Sequence, residues 1–213
     1  MGKENDMCMI IYKPKNIAFN IKKIKDGWYL NSDGAGYGVL TKNGIFIKKG
    51  IMKLEELLDE ISIINKHYLY QDIVLHLRAV SSGIKDKIFT HPFILSPGKE
   101  IVMQRWTDQP VLFHNGTICS IGNSIESDTY HLAKILGRIW EKCKNKDDIK
   151  DILKLIDDKF VVVFTDEIWM HKLTKNRDGC YYSNEGYEFF GYYKNFYKEL
   201  NSNIPNKFKI LLN

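Results

Sequence analysis

The stretch MCMIIYKP, Met7 to Pro14, sets a cysteine directly ahead of an unbroken apolar run, Met9-Ile10-Ile11-Tyr12. A short continuous apolar run closed by a proline reads as a buried strand, with Cys8 at its mouth. Two readings of that cysteine follow. A strand cysteine is by packing a small hydrophobe, whereas a thiol at the start of a strand is also placed to act as a nucleophile. The rest of the chain decides between them.

The chain has 213 residues, enough for one well-buried domain and short for two. Its 44% hydrophobic and 27% charged content is that of an ordinary globular protein and removes the disordered and fibrous classes. No apolar run approaches the roughly 20 residues needed to span a bilayer. The opening residues MGKENDM lack an apolar signal core, and Asp6 stands where a myristoylation site wants Ser or Thr, so the expected location is the cytoplasm, with no membrane partner. The four cysteines, Cys8, Cys119, Cys143 and Cys180, form no C-x-x-C pair, which argues against a zinc knuckle and a disulfide framework. Histidines 67, 76, 91, 114, 131 and 171 show no ligand spacing, so neither a metal nor another cofactor is expected. The net charge of +5 comes from scattered lysines, several in the tail YKNFYKELNSNIPNKFK, and reads as a solvated surface rather than a nucleic-acid groove.

Period-2 and continuous apolar runs predict strands in CMIIYK, in GYGVLTKNGIFIKK with a turn at Asn43-Gly44, in DIVLHLRAV, and in EIVMQRW through PVLFHNG. One helix interrupts them, MKLEELLDEISIINK, with Leu54, Leu57, Leu58 and Ile61 on one face. Two helices follow, DTYHLAKILGRIWEKCK, capped by Ser127 or Asp128, and KDDIKDILKLIDD. The chain then returns to strands with FVVVFT, IWMHKL and the aromatic stretch GCYYSNEGYEFF. With no internal repeat or linker, one α+β domain of antiparallel sheets covered by helices accounts for this order.

Taken singly, each candidate residue has a plain structural reading. Arg78 at the end of an apolar strand is a snorkelling side chain, Asn115-Gly116 is a tight-turn pair, and SDT at 127–129 is an ordinary helix N-cap. Their order says more. Cys8, SDGAG at 32–36, HLRAVSSG at 76–83, HPF at 91–93, HNG at 114–116 and SDT at 127–129 together resemble the glutaminase domain of class II glutamine amidotransferases, which are N-terminal nucleophile hydrolases. The resemblance spans residues 7–135 well and the second half, through FVVVFTDEIW and YYSNEGY, more loosely. HNG followed a dozen residues later by SDT is its most specific part.

The resemblance implies a four-layer αββα sandwich of mainly antiparallel sheets. It also implies hydrolysis of the side-chain amide of L-glutamine to glutamate and ammonia. An amide is a poor electrophile, so this chemistry needs a strong nucleophile, a proton acceptor and donors aimed at the developing oxyanion. By the resemblance, Cys8 supplies the thiolate and its own free α-amino group the base. Asn115 and Gly116 form the oxyanion hole. Arg78 holds the substrate α-carboxylate, with Ser81 beside it, and Asp128 receives the α-ammonium. Family members usually carry a synthase or ligase domain behind the glutaminase domain. After residue 135 this chain completes only the sheet, so the ammonia acceptor is expected on a separate subunit.

Several positions depart from the family pattern: Met9 stands for a glycine, Leu30-Asn31 for an Arg-Gly pair, and Ser81-Ser82 for Thr-His. The opening stretch departs as well. An amide-linked Cys8 cannot use its nitrogen as a base, because the lone pair is delocalised into the peptide bond. Residues 1–7 are therefore expected to be a leader or a mis-assigned start, with residues 8–213 as the domain. Two other readings remain: a γ-glutamyl amide hydrolase of the same fold, and a non-catalytic glutamine-sensing or assembly module. Arg78 and Asp128 favour a free α-amino acid head group, which suits γ-glutamyl compounds and not the bile-acid conjugates cut by the cysteine-nucleophile choloylglycine hydrolases.

Overall fold

Ile10 and Ile11 point to opposite sides of one strand and both are fully buried, so β1 (Met9–Lys13) is covered on its two faces, as a continuous apolar run requires. The computed structural model describes residues 8–80, 84–98, 101–118, 121, 125–186 and 188. After β1 come α1 (Ile21–Leu30), the hairpin β2 (Ala35–Thr41) and β3 (Gly44–Ile51), α2 (Leu54–His67) and β4 (Asp72–Leu77). A 3-10 turn at Lys87–Phe89 leads to β5 (Phe93–Ile94), β6 (Gln104–Thr107) and β7 (Val111–Asn115). Helices α3 (Asp128–Cys143) and α4 (Lys146–Ile156) are followed by β8 (Lys159–Val163), β9 (Ile168–His171), β10 (Thr174–Lys175) and β11 (Tyr181–Tyr182).

The described residues thus form a mixed α+β structure with four α-helices and two sheets whose strands all pair antiparallel. One sheet has seven strands in the order β10-β11-β1-β4-β2-β3-β6, which makes β1 an interior strand; the other has four, β5-β7-β8-β9. Three apolar clusters hold these elements. The first joins Met9, Ile11 and Leu75 of the large sheet to Ile24 and Trp28 of α1 and Leu57, Ile61 and Ile64 of α2. The second joins Leu112, Phe160 and Val162 of the small sheet to Tyr130, Ala133 and Leu136 of α3 and Ile149 and Leu153 of α4. The third, with Ile10, Ile47 and Val74 from the large sheet and Val111, Phe113 and Val161 from the small one, lies between the sheets. Alternation along β1, β7 and β8 therefore feeds a different cluster on each face.

Four local features differ from the sequence expectation or refine it. Helix α1 was not expected. Its Lys22, Lys23 and Lys25 and its internal Gly27 weaken the helical signal, but Asn20 caps it by accepting from Lys23 N at 3.2 Å, and Ile24, Gly27 and Trp28 form a buried stripe. The hairpin turn falls on Lys42-Asn43, one residue earlier than Asn43-Gly44, because Gly44 already pairs with Thr41. Ser127, not Asp128, is the α3 cap, its Oγ accepting from Tyr130 N at 3.2 Å. The α2 face is Leu57, Ile61 and Ile64, with Leu54 at its edge and Leu58 beside it. No helix among the described residues is long and apolar enough to cross a membrane.

Candidate functional site

Cys8 sits just before β1, and its thiol lies against the chain that leaves the neighbouring strand β4. The Sγ–H donates to Ala79 O at 3.1 Å, and Ala79 N approaches Sγ at 3.4 Å. Burial pushes the thiol up to about 11; the Ala79 contact and the Arg78 charge act downward, while Asp128 and Asp33 act upward. A thiol in this state is protonated near neutral pH.

The segment that faces Cys8 is pinned by the SDGAG loop. Arg78 N donates to Gly34 O at 2.8 Å, Asp33 N donates to Arg78 O at 2.9 Å, and Val80 N donates to the Asp33 carboxylate at 2.9 Å. Lys85 closes the brace with an ion pair to Asp33 at 2.6 Å. Burial raises the Asp33 carboxyl, but the Lys85 bond and the Val80 N–H outweigh it and leave the group below the usual carboxylate range. The Arg78 side chain is buried, with Nη1 on Asp86 O at 3.3 Å and Nη2 on Ile84 O at 3.2 Å. Burial lowers its pKa, and Cys8, Asp33, Asp128 and Asp86 act against that change. The guanidinium therefore stands among three carboxylates and the thiol.

Asn115 ends β7 on the other sheet, and Ser183 connects it to β1. Ser183 Oγ lies 2.9 Å from Ile10 N, which donates to it, and 2.8 Å from Asn115 Nδ2. Ser183 N donates to Ile10 O at 3.0 Å, and Asn184 Nδ2 donates to Cys8 O. Asn115 is buried and its Oδ1 has no partner among the described residues. Gly116 follows at φ 157, and a Cβ there would fall 2.2 Å from the Asp158 carboxylate. Only glycine lets Asp158 come this close.

Asp128 opens α3 and ties the loop after β7 to it. Its Oδ2 accepts from Ile118 N at 2.7 Å and its Oδ1 from Thr129 N at 2.7 Å. The Thr129 hydroxyl lies 2.8 Å from His114 Nδ1, whose ring stacks on Phe160 and has Nε2 3.3 Å from Asp158. His76 Nε2 meets His114 O at 3.0 Å; a carbonyl only accepts, so this nitrogen carries the proton. Burial lowers His76 to about 3, so its ring is neutral and structural. His76 and His114 thus link the end of β4 to the end of β7.

Of the sequence candidates, Cys8, Arg78, Asn115, Gly116 and Asp128 all lie in this region, contributed by the start of β1, the end of β4, the end of β7 and the N-terminus of α3. Ser81 lies outside the described residues, as do Ser82, Cys119, residues 1–7 and the lysine-bearing tail after residue 188. Among the described residues no group of three or more His, Cys, Asp or Glu side chains could hold a metal ion. Sequence reasoning missed Ser183, Asn184 and the Asp33–Lys85 brace. The segment YYSNEGY was noticed only as part of the looser second half, because nothing local in it shows that β11 lies beside β1.

No family model matches the chain, and a search of curated proteins finds no match.

Proposed function

We propose that the chain is a glutaminase domain of the class II amidotransferase type, with the four-layer αββα sandwich of N-terminal nucleophile hydrolases. Support for the fold comes from the three clusters, which alternate helices, sheet, sheet and helices. Support for the chemistry comes from one observation: a cysteine, a buried arginine, a buried asparagine and a buried aspartate, from four distant parts of the chain, gather around the mouth of an interior strand.

In this reading, protein that begins at Cys8 has a free α-amine, whose pKa near 8 lets it take the thiol proton at neutral pH. The thiolate attacks the side-chain amide carbon of L-glutamine. Asn115 Nδ2 and Gly116 N–H hold the oxyanion, and the α-ammonium returns the proton to the leaving nitrogen, releasing ammonia and leaving a γ-thioester on Cys8. Water, deprotonated by the same amine, then adds to the thioester, and glutamate leaves as the thiol re-forms. Arg78 pairs the substrate α-carboxylate, and Asp128 accepts from the α-ammonium. Both Asp128 oxygens already accept backbone bonds, but a carboxylate has about four lone-pair sites and so retains room for one more donor. The ammonia passes to an acceptor subunit in the cytoplasm.

Release of glutamate from glutamine by protein begun at Cys8, lost on Cys8→Ala, is the expected result. A panel of γ-glutamyl amides in the same assay separates glutamine from the wider γ-glutamyl class, and no release from any of them contradicts the proposal. A second reading, a glutamine-sensing module, is favoured by the thiol pushed up to about 11. Glutamine binding by the same protein without any turnover would select it.

A further inference from the structure

The Asn115 amide can sit in either of two orientations, related by a half turn about its Cγ, that place nitrogen or oxygen against Ser183. With Nδ2 toward Ser183 Oγ at 2.8 Å, the hydroxyl accepts from both Asn115 and Ile10 N. Its own proton then has no acceptor among the described residues, and Asn115 Oδ1 is buried without a partner among them. A half turn makes better use of the same atoms. Ser183 still accepts from Ile10 N, its O–H donates to Oδ1, and the Nδ2 group moves to the position where Oδ1 has no partner among the described residues. The exchange removes a stranded acceptor and a stranded hydroxyl proton, and leaving such groups unpaired in a buried site is costly.

We infer that Ser183 is a positioning residue: its hydroxyl donates to Asn115 Oδ1 and so turns the Asn115 NH2 group away from β11, into the buried position where Oδ1 has no partner among the described residues, as a pair of donors for a ligand oxygen admitted there. The anchoring is rigid, because Ser183 N also donates to Ile10 O at 3.0 Å, which fixes the serine to β1 two residues from Cys8. A buried amide that turns its two donors there is built for a carbonyl oxygen that gains negative charge. The opposite orientation would offer such an oxygen a lone-pair repulsion. The catalytic consequence rests on the glutaminase reading, but the orientation itself does not.

A neutron map of deuterated full-length protein tests the orientation without any turnover. Expected is Ser183 O–D directed at Asn115 Oδ1, with both Nδ2 deuterons on the far side; Nδ2 deuterons directed at Ser183 Oγ would overturn the inference. In protein begun at Cys8, Ser183→Ala should lower kcat by about tenfold to 100-fold, since loss of a whole oxyanion donor costs roughly 100-fold to 1,000-fold, with KM changed little and activity restored by Ser183→Thr. Equal kcat in parent and Ser183→Ala would also overturn it. Absence of glutaminase activity in the parent would instead sink the proposed function and leave the orientation to the neutron map, which also decides the matter if Ser183→Ala does not fold.

Discussion

Met9 occupies the space that a side chain at Gly27 would need: a Cβ built on Gly27 would fall 2.3 Å from Met9 Cε and 3.2 Å from Leu77 Cδ1. The methionine, which stands where the family resemblance expects glycine, is thus matched by a glycine on the helix above it. Both residues are buried, so the methionine has no open space to swing into. Met9→Ala should cost about 2–5 kcal/mol as a cavity, and Gly27→Ala about 1–3 kcal/mol by overpacking. In the Met9→Ala background Gly27→Ala should instead recover stability, because it fills part of that cavity and a helical alanine is favoured over glycine by about 1 kcal/mol. A double-mutant cycle by urea denaturation measures the coupling; additive losses would show that the two residues do not share this space.

This pair also illustrates what the sequence conceals. The strands were legible because their alternation is local: Ile45 and Ile47 of β3 are buried in period 2 in the cluster between the sheets, although a register shift at Ala35/Gly36 puts Ile51 in the helix-side cluster. Helix α1 was not, because its buried stripe contains Gly27, which has no apolar signal and earns its place only from the Met9 methyl on another element. At the site, Cys8, Arg78, Asn115 and Asp128 carry recognisable local motifs. Ser183 and Asn184 reach β1 across more than 170 residues, and no local spacing encodes a contact of that range.

Acid should weaken the fold through two buried histidines. Burial lowers His76 to about 3 and His91 well below its ordinary value, the latter also disfavoured by His76, His114, Arg78 and Lys49. Both His91 ring nitrogens are buried without partners among the described residues. Groups depressed in the folded state bind more protons when unfolded, so stability falls as pH drops below the unfolded value of about 6.5, by at most about 1.4 kcal/mol per unit for each group. Urea denaturation at a series of pH values between 6.5 and 4.5, an interval of about 2 units below the unfolded histidine value, should show this slope, and His91→Phe should reduce it. A flat profile would contradict it.

Lys49 should act in the alkaline range. It is buried on β3, its Nζ bonded to Pro92 O at 3.3 Å and set over the Phe93 ring, and burial, with Arg78 nearby, lowers it to about 7. The unfolded chain therefore binds the extra proton from pH 7 up to about 10.4, and stability should rise with pH across that window. Lys49→Met should level the rise; an unchanged slope would locate the titrating group elsewhere.

Arg78→Lys and Asp128→Asn should separate support from recognition. A lysine cannot span Ile84 O and Asp86 O as the guanidinium does, and an Asn amide cannot accept from both Ile118 N and Thr129 N. Each change should cost about 1–3 kcal/mol of stability. In protein begun at Cys8 each should also raise KM for glutamine at least about tenfold, consistent with a lost charge-assisted contact of 1.5–3 kcal/mol. Unchanged KM in both variants would place the substrate head group elsewhere.

The central claim is that Cys8 is a nucleophile only when its own nitrogen is a free amine, since an amide nitrogen has no basic lone pair and burial holds the thiol at about 11. The most direct measurement is intact and peptide mass spectrometry after treatment with a diazoketone analogue of glutamine, comparing protein begun at Cys8 with protein carrying residues 1–7. The account predicts a single adduct on Cys8 in the short form and none in the long form. Labelling of the long form at an equal rate would contradict it by showing that Cys8 reacts without a free amine, and labelling of Cys119, Cys143 or Cys180 in place of Cys8 would contradict it and make Cys8 a structural thiol.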